Sequence, residues 1–152
     1  MARIACIHAH PDDAEIFLGG TLALLARKGH EVTVVTMTPG DCGTKEHPPE
    51  VIARMRRAEA AAGAEMMGAK YLCAEFRDMA VFNDDESRRR VTAIVRDLRP
   101  DLVLTASPSD YHCDHEATSY LVRDACFGAG CPNYDCGAFS GAPALDFIPH
   151  QI

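Results

Sequence analysis

Strand-type and helix-type apolar patterning alternate four times along the 152 residues, and that alternation leaves few folds open to the chain. Arg3 to His8 reads as a short buried strand, and Ala14 to Lys28 sets Leu18, Leu22 and Leu25 at helical spacing before Gly29, a usual stop signal. Glu31 to Met37 is a second strand. After a Gly/Pro-rich loop from Thr38 to Pro49, Glu50 to Met67 forms an Ala-rich helix and Lys70 to Cys73 a third strand. Asp85 to Leu98 is helical, Leu102 to Thr105 a strand, Asp114 to Phe127 helical, Gly128 to Ala142 a loop and Ala144 to Phe147 a fifth strand. Such a series implies a mainly parallel sheet with right-handed crossovers, a Rossmann-like three-layer α/β/α arrangement. A hydrophobic content of 47% over this length supports one domain, 1–152, and not two.

A strand order of 3-2-1-4-5 reverses the winding between the first and fourth strands, where ligands bind at the carboxyl ends. Two polar clusters fall there. His10-Pro11-Asp12-Asp13-Ala14-Glu15 follows the first strand, and Asp110 to His115, with His112-Cys113-Asp114-His115 at its end, follows the fourth. The topology thus gathers imidazoles and carboxylates able to surround one divalent ion, although about a hundred positions separate them. Asp12 and Glu15 also have capping-box spacing, which accounts for acids at a helix start but not for His10. Paired Gly19-Gly20 inside the first helix costs about 1 kcal/mol each relative to Ala and predicts close approach of the helix to the sheet or to a ligand.

Fifteen Lys and Arg against 22 Asp and Glu give a net charge of −7, which disfavours a nucleic-acid partner. No apolar run approaches the length of a membrane span and no secretion signal is visible, so the expected location is cytoplasmic. Seven cysteines, an odd number, fit reduced thiols better than a disulfide framework. Cys126, Cys131 and Cys136 are spaced by five, wider than a zinc knuckle.

The stretches AHPDDAEIFLGG and HCDH, in that order, resemble the signatures of the LmbE-like, PIG-L-type N-acetylglucosaminyl deacetylases. Thr38-Pro39-Gly40-Asp41-Cys42-Gly43 resembles the family's loop after strand two, and Arg56-Arg57-Ala58-Glu59 its R-x-x-E helix. The resemblance implies a mononuclear metal hydrolase that removes acetyl groups from amino sugars. It makes His10, Asp13 and His115 the metal ligands and Asp12 the general base. His112 would hold the oxyanion and protonate the leaving amine, with Asp114 orienting its ring. Arg56 and Asp78 would contact substrate hydroxyls. The expected ion is Zn2+, with Fe2+, Co2+ or Mn2+ suited to the same donors.

Two departures bear on this expectation. Cys113 stands where the family commonly has Pro, and family members usually continue past the length seen here, with segments that cover one sheet edge and shape the sugar pocket. A bare edge strand favours a homo-oligomer. Two other readings compete: a degenerate homologue that binds metal or sugar without turnover, and a receiver-like phosphoacceptor module. The latter needs an Asp ending strand three and a Lys ending strand five, where Cys73 or Ala74 and Pro149 occur, and leaves His10 and His115 idle.

Overall fold

The computed structural model describes all 152 residues. Its elements are β1 (Arg3–His8), α1 (Asp13–Arg27), β2 (Glu31–Thr36), α2 (Pro49–Met66), β3 (Lys70–Cys73), α3 (Asp85–Leu98), β4 (Leu102–Thr105), α4 (Cys113–Ala129) and β5 (His150–Gln151). The sheet order is β3-β2-β1-β4-β5, and every pairing is parallel. The order expected from the alternation is therefore the order found.

Strand alternation divides the core between two faces. Ala5, Ile7, Val35 and Val103 meet Val91, Val95, Leu121 and Val122 of α3 and α4. Ile4, Cys6, Val32, Val34 and Leu104 point the other way, toward Ala14 and Leu22 of α1 and Ala64 of α2. Each fully buried aliphatic side chain contributes about 1.5–3 kcal/mol by leaving water. Because helices cover both faces of the sheet, the central strands are near-continuous apolar runs and not alternating ones.

Helix ends follow local chemistry. Gly29 adopts φ +85 just past α1, the left-handed stop that glycine permits without a side-chain clash. Pro49 opens α2, where its missing N–H has no partner to lose. Asp84 caps α3 by accepting from the Ser87 N–H at 2.8 Å.

Two expectations fail. The fifth strand is not Ala144 to Phe147 but His150–Gln151. Leu145 is buried in the core and its N–H is bound by Ala129 O at 2.8 Å, so this apolar stretch packs as a loop. The ladder forms further on, through His150 N to Asp101 O and Ile152 N to Val103 O. Gly19-Gly20 is not a close approach either. A Cβ on Gly19 would lie 3.7 Å from Met67 Sδ, an ordinary contact, and one on Gly20 would meet nothing within 4 Å. No helix is long and apolar enough to cross a membrane.

Candidate metal centre and its crevice

The His and Asp residues singled out above follow the carboxyl ends of the strands, and Arg56 comes from α2. His10 to Asp13 leave β1, the 38–48 loop leaves β2, Asp78 lies beyond β3, and Asp110 to His115 lie between β4 and α4. β1 is bonded directly to β4, with Ile7 opposite Thr105 in register. That pairing closes the gap of 105 residues between His10 and His115.

The ring partners decide where the imidazole lone pairs point. His10 Nε2 faces Asp78 Oδ1 at 3.1 Å and Asp114 Oδ2 at 3.3 Å, so its proton belongs there and Nδ1 is left bare. His115 Nδ1 faces Asp110 Oδ1 at 3.1 Å, which leaves Nε2 bare. The two bare nitrogens approach within 3.2 Å, and Asp13 Oδ2 lies 3.7 Å from the first and 3.5 Å from the second. These three atoms lie close enough together to serve as ligands of one cation, which would displace any proton the two rings share. A tetrahedral ion with bonds of about 2.0–2.1 Å spaces its ligands about 3.4 Å apart. The donor set fits such an ion.

Electrostatics agree with this arrangement. Burial alone would lower the His10 pKa, but Asp13, Asp78 and Asp114 outweigh it and hold it above the ordinary value. Burial would raise Asp13, yet the adjoining His10 ring, the His10 main-chain N–H and His115 hold it low. Asp110 is held low by the His112 N–H and by His115.

The neighbouring groups have separate tasks. His112 Nδ1 accepts the Asp114 main-chain N–H at 3.2 Å, which puts the ring proton on Nε2, and the ring lies edge-on to His10 with centroids 4.7 Å apart. The Asp114 carboxylate, 1% exposed, takes the N–H groups of Met79 at 2.8 Å and Val81 at 3.2 Å besides His10. Contrary to expectation, then, the Asp114 side chain supports His10 and the 79–81 loop, and only its backbone orients His112. Asp12 does not cap α1. It adopts φ 100, makes no side-chain cap bond, and turns its carboxylate to the Arg56 guanidinium at 2.7 Å. Arg56 also donates to Pro11 O. Asp78 reaches the crevice, but its carboxylate already serves His10 and, at 2.8 Å, the Cys42 N–H.

Together these residues line an open crevice of about 310 Å³, with Tyr111, 90% exposed, at its rim. Asp110 escaped the site assignment made from sequence. Its signal was an acid two residues before His112 that also accepts the His112 N–H at 3.0 Å, an Asx-turn pattern. Cys126, Cys131 and Cys136 form no metal-capable group, and all seven cysteines are free.

The profile of the PIG-L family, described as GlcNAc-PI de-N-acetylase, matches residues 5–126. The chain belongs to the PIG-L family. It is 33% identical over 139 residues to the diacetylchitobiose deacetylase of Thermococcus kodakarensis, a match covering 88% of this chain and 52% of that one. The 4-oxalmesaconate hydratase of Pseudomonas putida is 30% identical over 155 residues, covering 95% and 60%. The structure of N,N'-diacetylchitobiose deacetylase from Pyrococcus horikoshii, complexed with its inhibitor MPG, superposes with a TM-score of 0.87 at 30% identity, covering 95% of this chain and 58% of that one. The chain thus spans about half the length of the curated relatives it matches. This membership, with Ala74 and Glu75 rather than Asp after β3, disposes of the receiver-like reading.

Proposed function

We propose that this chain is a metal-dependent N-deacetylase domain acting on an N-acetylglucosaminyl conjugate. The observation that carries the reading is the convergence of three donor atoms, from His10, Asp13 and His115, on one point of an open crevice that also contains Asp12 and a His112 N–H donor. A divalent ion there, Zn2+ first and Fe2+, Co2+ or Mn2+ after it, would supply Lewis acidity toward water and the amide carbonyl.

The side chains divide the remaining work. Asp12, with one oxygen on Arg56 and the other free, takes the proton of the attacking water. His112 Nε2–H donates to the carbonyl oxygen as it gains charge, and Asp12 delivers the proton it took from water to the departing amine. Arg56 and Asp78 face the crevice and meet sugar hydroxyls, Asp78 through the lone pairs that His10 and Cys42 leave over. Asp114 holds His10 in place. A hydratase is among the proteins this chain resembles, which favours a second reading in which the proton-transfer pair adds water to an unsaturated acid.

The test is metal content per chain for wild type and His115→Ala, followed by acetate release from diacetylchitobiose. About one equivalent of metal, lost in His115→Ala, with turnover abolished in Asp12→Ala that still holds metal, supports the deacetylase. Metal retained with no acetate from any acetylated sugar supports a binding homologue, or the hydratase if an unsaturated acid is consumed. The cytoplasmic location and a homo-oligomeric state belong to this proposal too, the latter checked by sedimentation.

A further inference from the structure

Beside the crevice, between the 38–48 loop and α2, lies a second cavity of about 470 Å³. Asp12, Gly40, Gly43 and Arg56 border both spaces, so a molecule reacting in one extends naturally into the other. The volume lies within the range of about 300–1,000 Å³ typical of small-ligand sites, which leaves room for a whole sugar ring. The loop that roofs it has a set shape. Gly40 sits at φ +68 against Pro11, and the Glu46 N–H is held by Thr44 Oγ1 at 3.1 Å.

Its charge is one-sided. The wall carries Asp12, Glu46 and Glu59 against a single fixed cation, Arg56, with His47 and Met55 completing it. Arg56 spends its charge on Asp12 at 2.7 Å and reaches Glu59 at 3.8 Å, so Glu46 stands uncompensated and Glu59 only partly balanced. Lys45 is next in sequence to Glu46 but is not on the wall. A divalent ion next door adds little positive field, because Asp13, Asp78 and Asp114 surround His10.

We propose that this cavity receives the group to which the acetylated sugar is attached, and that Glu46 and Glu59 select a neutral or amine-bearing ring there over a partner carrying carboxylate or phosphate. The inference rests on the deacetylase reading of the adjoining crevice and narrows its substrate class to amino-sugar or neutral-sugar conjugates. A partly exposed carboxylate about 6–8 Å from the ligand charge, screened by solvent, separates a cationic from an anionic ligand by about three- to fivefold, so two carboxylates separate them by on the order of tenfold.

The experiment compares three disaccharides of N-acetylglucosamine, linked to glucosamine, glucose or glucuronic acid, with metal-loaded protein at low ionic strength. Acetate release gives kcat and KM for each, and calorimetry with the same three gives binding independent of turnover. The expected result is a KM and Kd for the glucuronide about tenfold above those for the glucosamine conjugate, with kcat nearly level. The spread should collapse to within about twofold in the Glu46→Gln/Glu59→Gln double variant, and shrink in high salt. Equal affinities for the three, tightest binding of the glucuronide, or a spread that survives the double variant would overturn the proposal. Binding with charge discrimination but no acetate from any of them would count against the deacetylase reading and leave the cavity's selectivity standing.

Discussion

Replacing Asp114 by Asn separates the two roles open to that residue. Its carboxylate is buried, with one oxygen on the Met79 N–H and His10 Nε2–H and the other on the Val81 N–H. An amide has one acceptor oxygen. If that oxygen stays on Met79 and His10, the new NH2 group faces the Val81 N–H, and two donors confront each other out of reach of water. An unsatisfied buried donor costs about 1–3 kcal/mol, and exchanging charge-assisted bonds for neutral ones on the remaining side costs about 1 kcal/mol more. The Asp114→Asn chain, stripped of metal by a chelator, should therefore unfold in urea with about 2–4 kcal/mol less stability than wild type. Because His10 also loses its anionic support, metal affinity in a competition titration should fall about 10- to 100-fold. The main-chain N–H that orients His112 is untouched by the change. Unaltered stability and metal affinity, with turnover lost, would refute this account and return Asp114 to the His112 side of the site.

Gly20→Ala should raise stability by about 0.5–1 kcal/mol, since an exposed helical position with open space gains helix propensity at no steric cost; chemical denaturation reads it. Gly40→Ala should lose about 1–3 kcal/mol in the same assay, because its Cβ would lie 2.9 Å from Pro11 Cδ at φ +68. Asp84→Ala should cost about 1 kcal/mol at neutral pH through loss of the α3 cap. The Ser87 N–H holds the Asp84 carboxyl below its ordinary value of 3.8, so the cap's contribution is whole above that value and fades as pH falls through the lower folded one. The gap between Asp84→Ala and wild type should thus close on acidification, and a gap that widens would be the wrong sign. Burial pushes the Cys6 thiol up to about 12 and Cys126 to about 11, whereas Cys42 and Cys113 are exposed. Alkylation followed by mass spectrometry should mark Cys42 and Cys113 in the native state and reach Cys6 and Cys126 only after unfolding.

What the sequence conveyed well was whatever depends on periodicity and order. The β1 run RIACIH, the helical Leu spacing of α1 and the Pro100-Asp101 punctuation before β4 each carry their signal within a few residues. From them the 3-2-1-4-5 sheet and the meeting of His10 with His115 follow by topology. Features set by what a group touches at a distance were not legible. Ala144 to Phe147 has a strand's composition, yet Leu145 is held by the α4 terminus, while the polar His150–Gln151 takes the edge because its backbone finds free partners on β4. The left-handed turn at Asp12 is a long-range matter too, since it answers to Arg56 on α2. Likewise the choice of His10 over His112 as partner of the Asp114 carboxylate depends on where the 79–81 loop closes.

The span between His10 and His115 has a consequence for the order in which this molecule comes into being. The proposed metal donors His10 and His115 are 105 residues apart, on segments brought together by the β1–β4 pairing. During synthesis an ion would therefore find only the local pair His10 and Asp13. β2, β3 and the helices between them must emerge before the second set of ligands exists. Once bound, the ion ties off a loop of most of the chain, and closing so long a loop removes much of the freedom of the unfolded state. A metal bound at the proposed site would thus act as a cross-link that forms only once both segments are present.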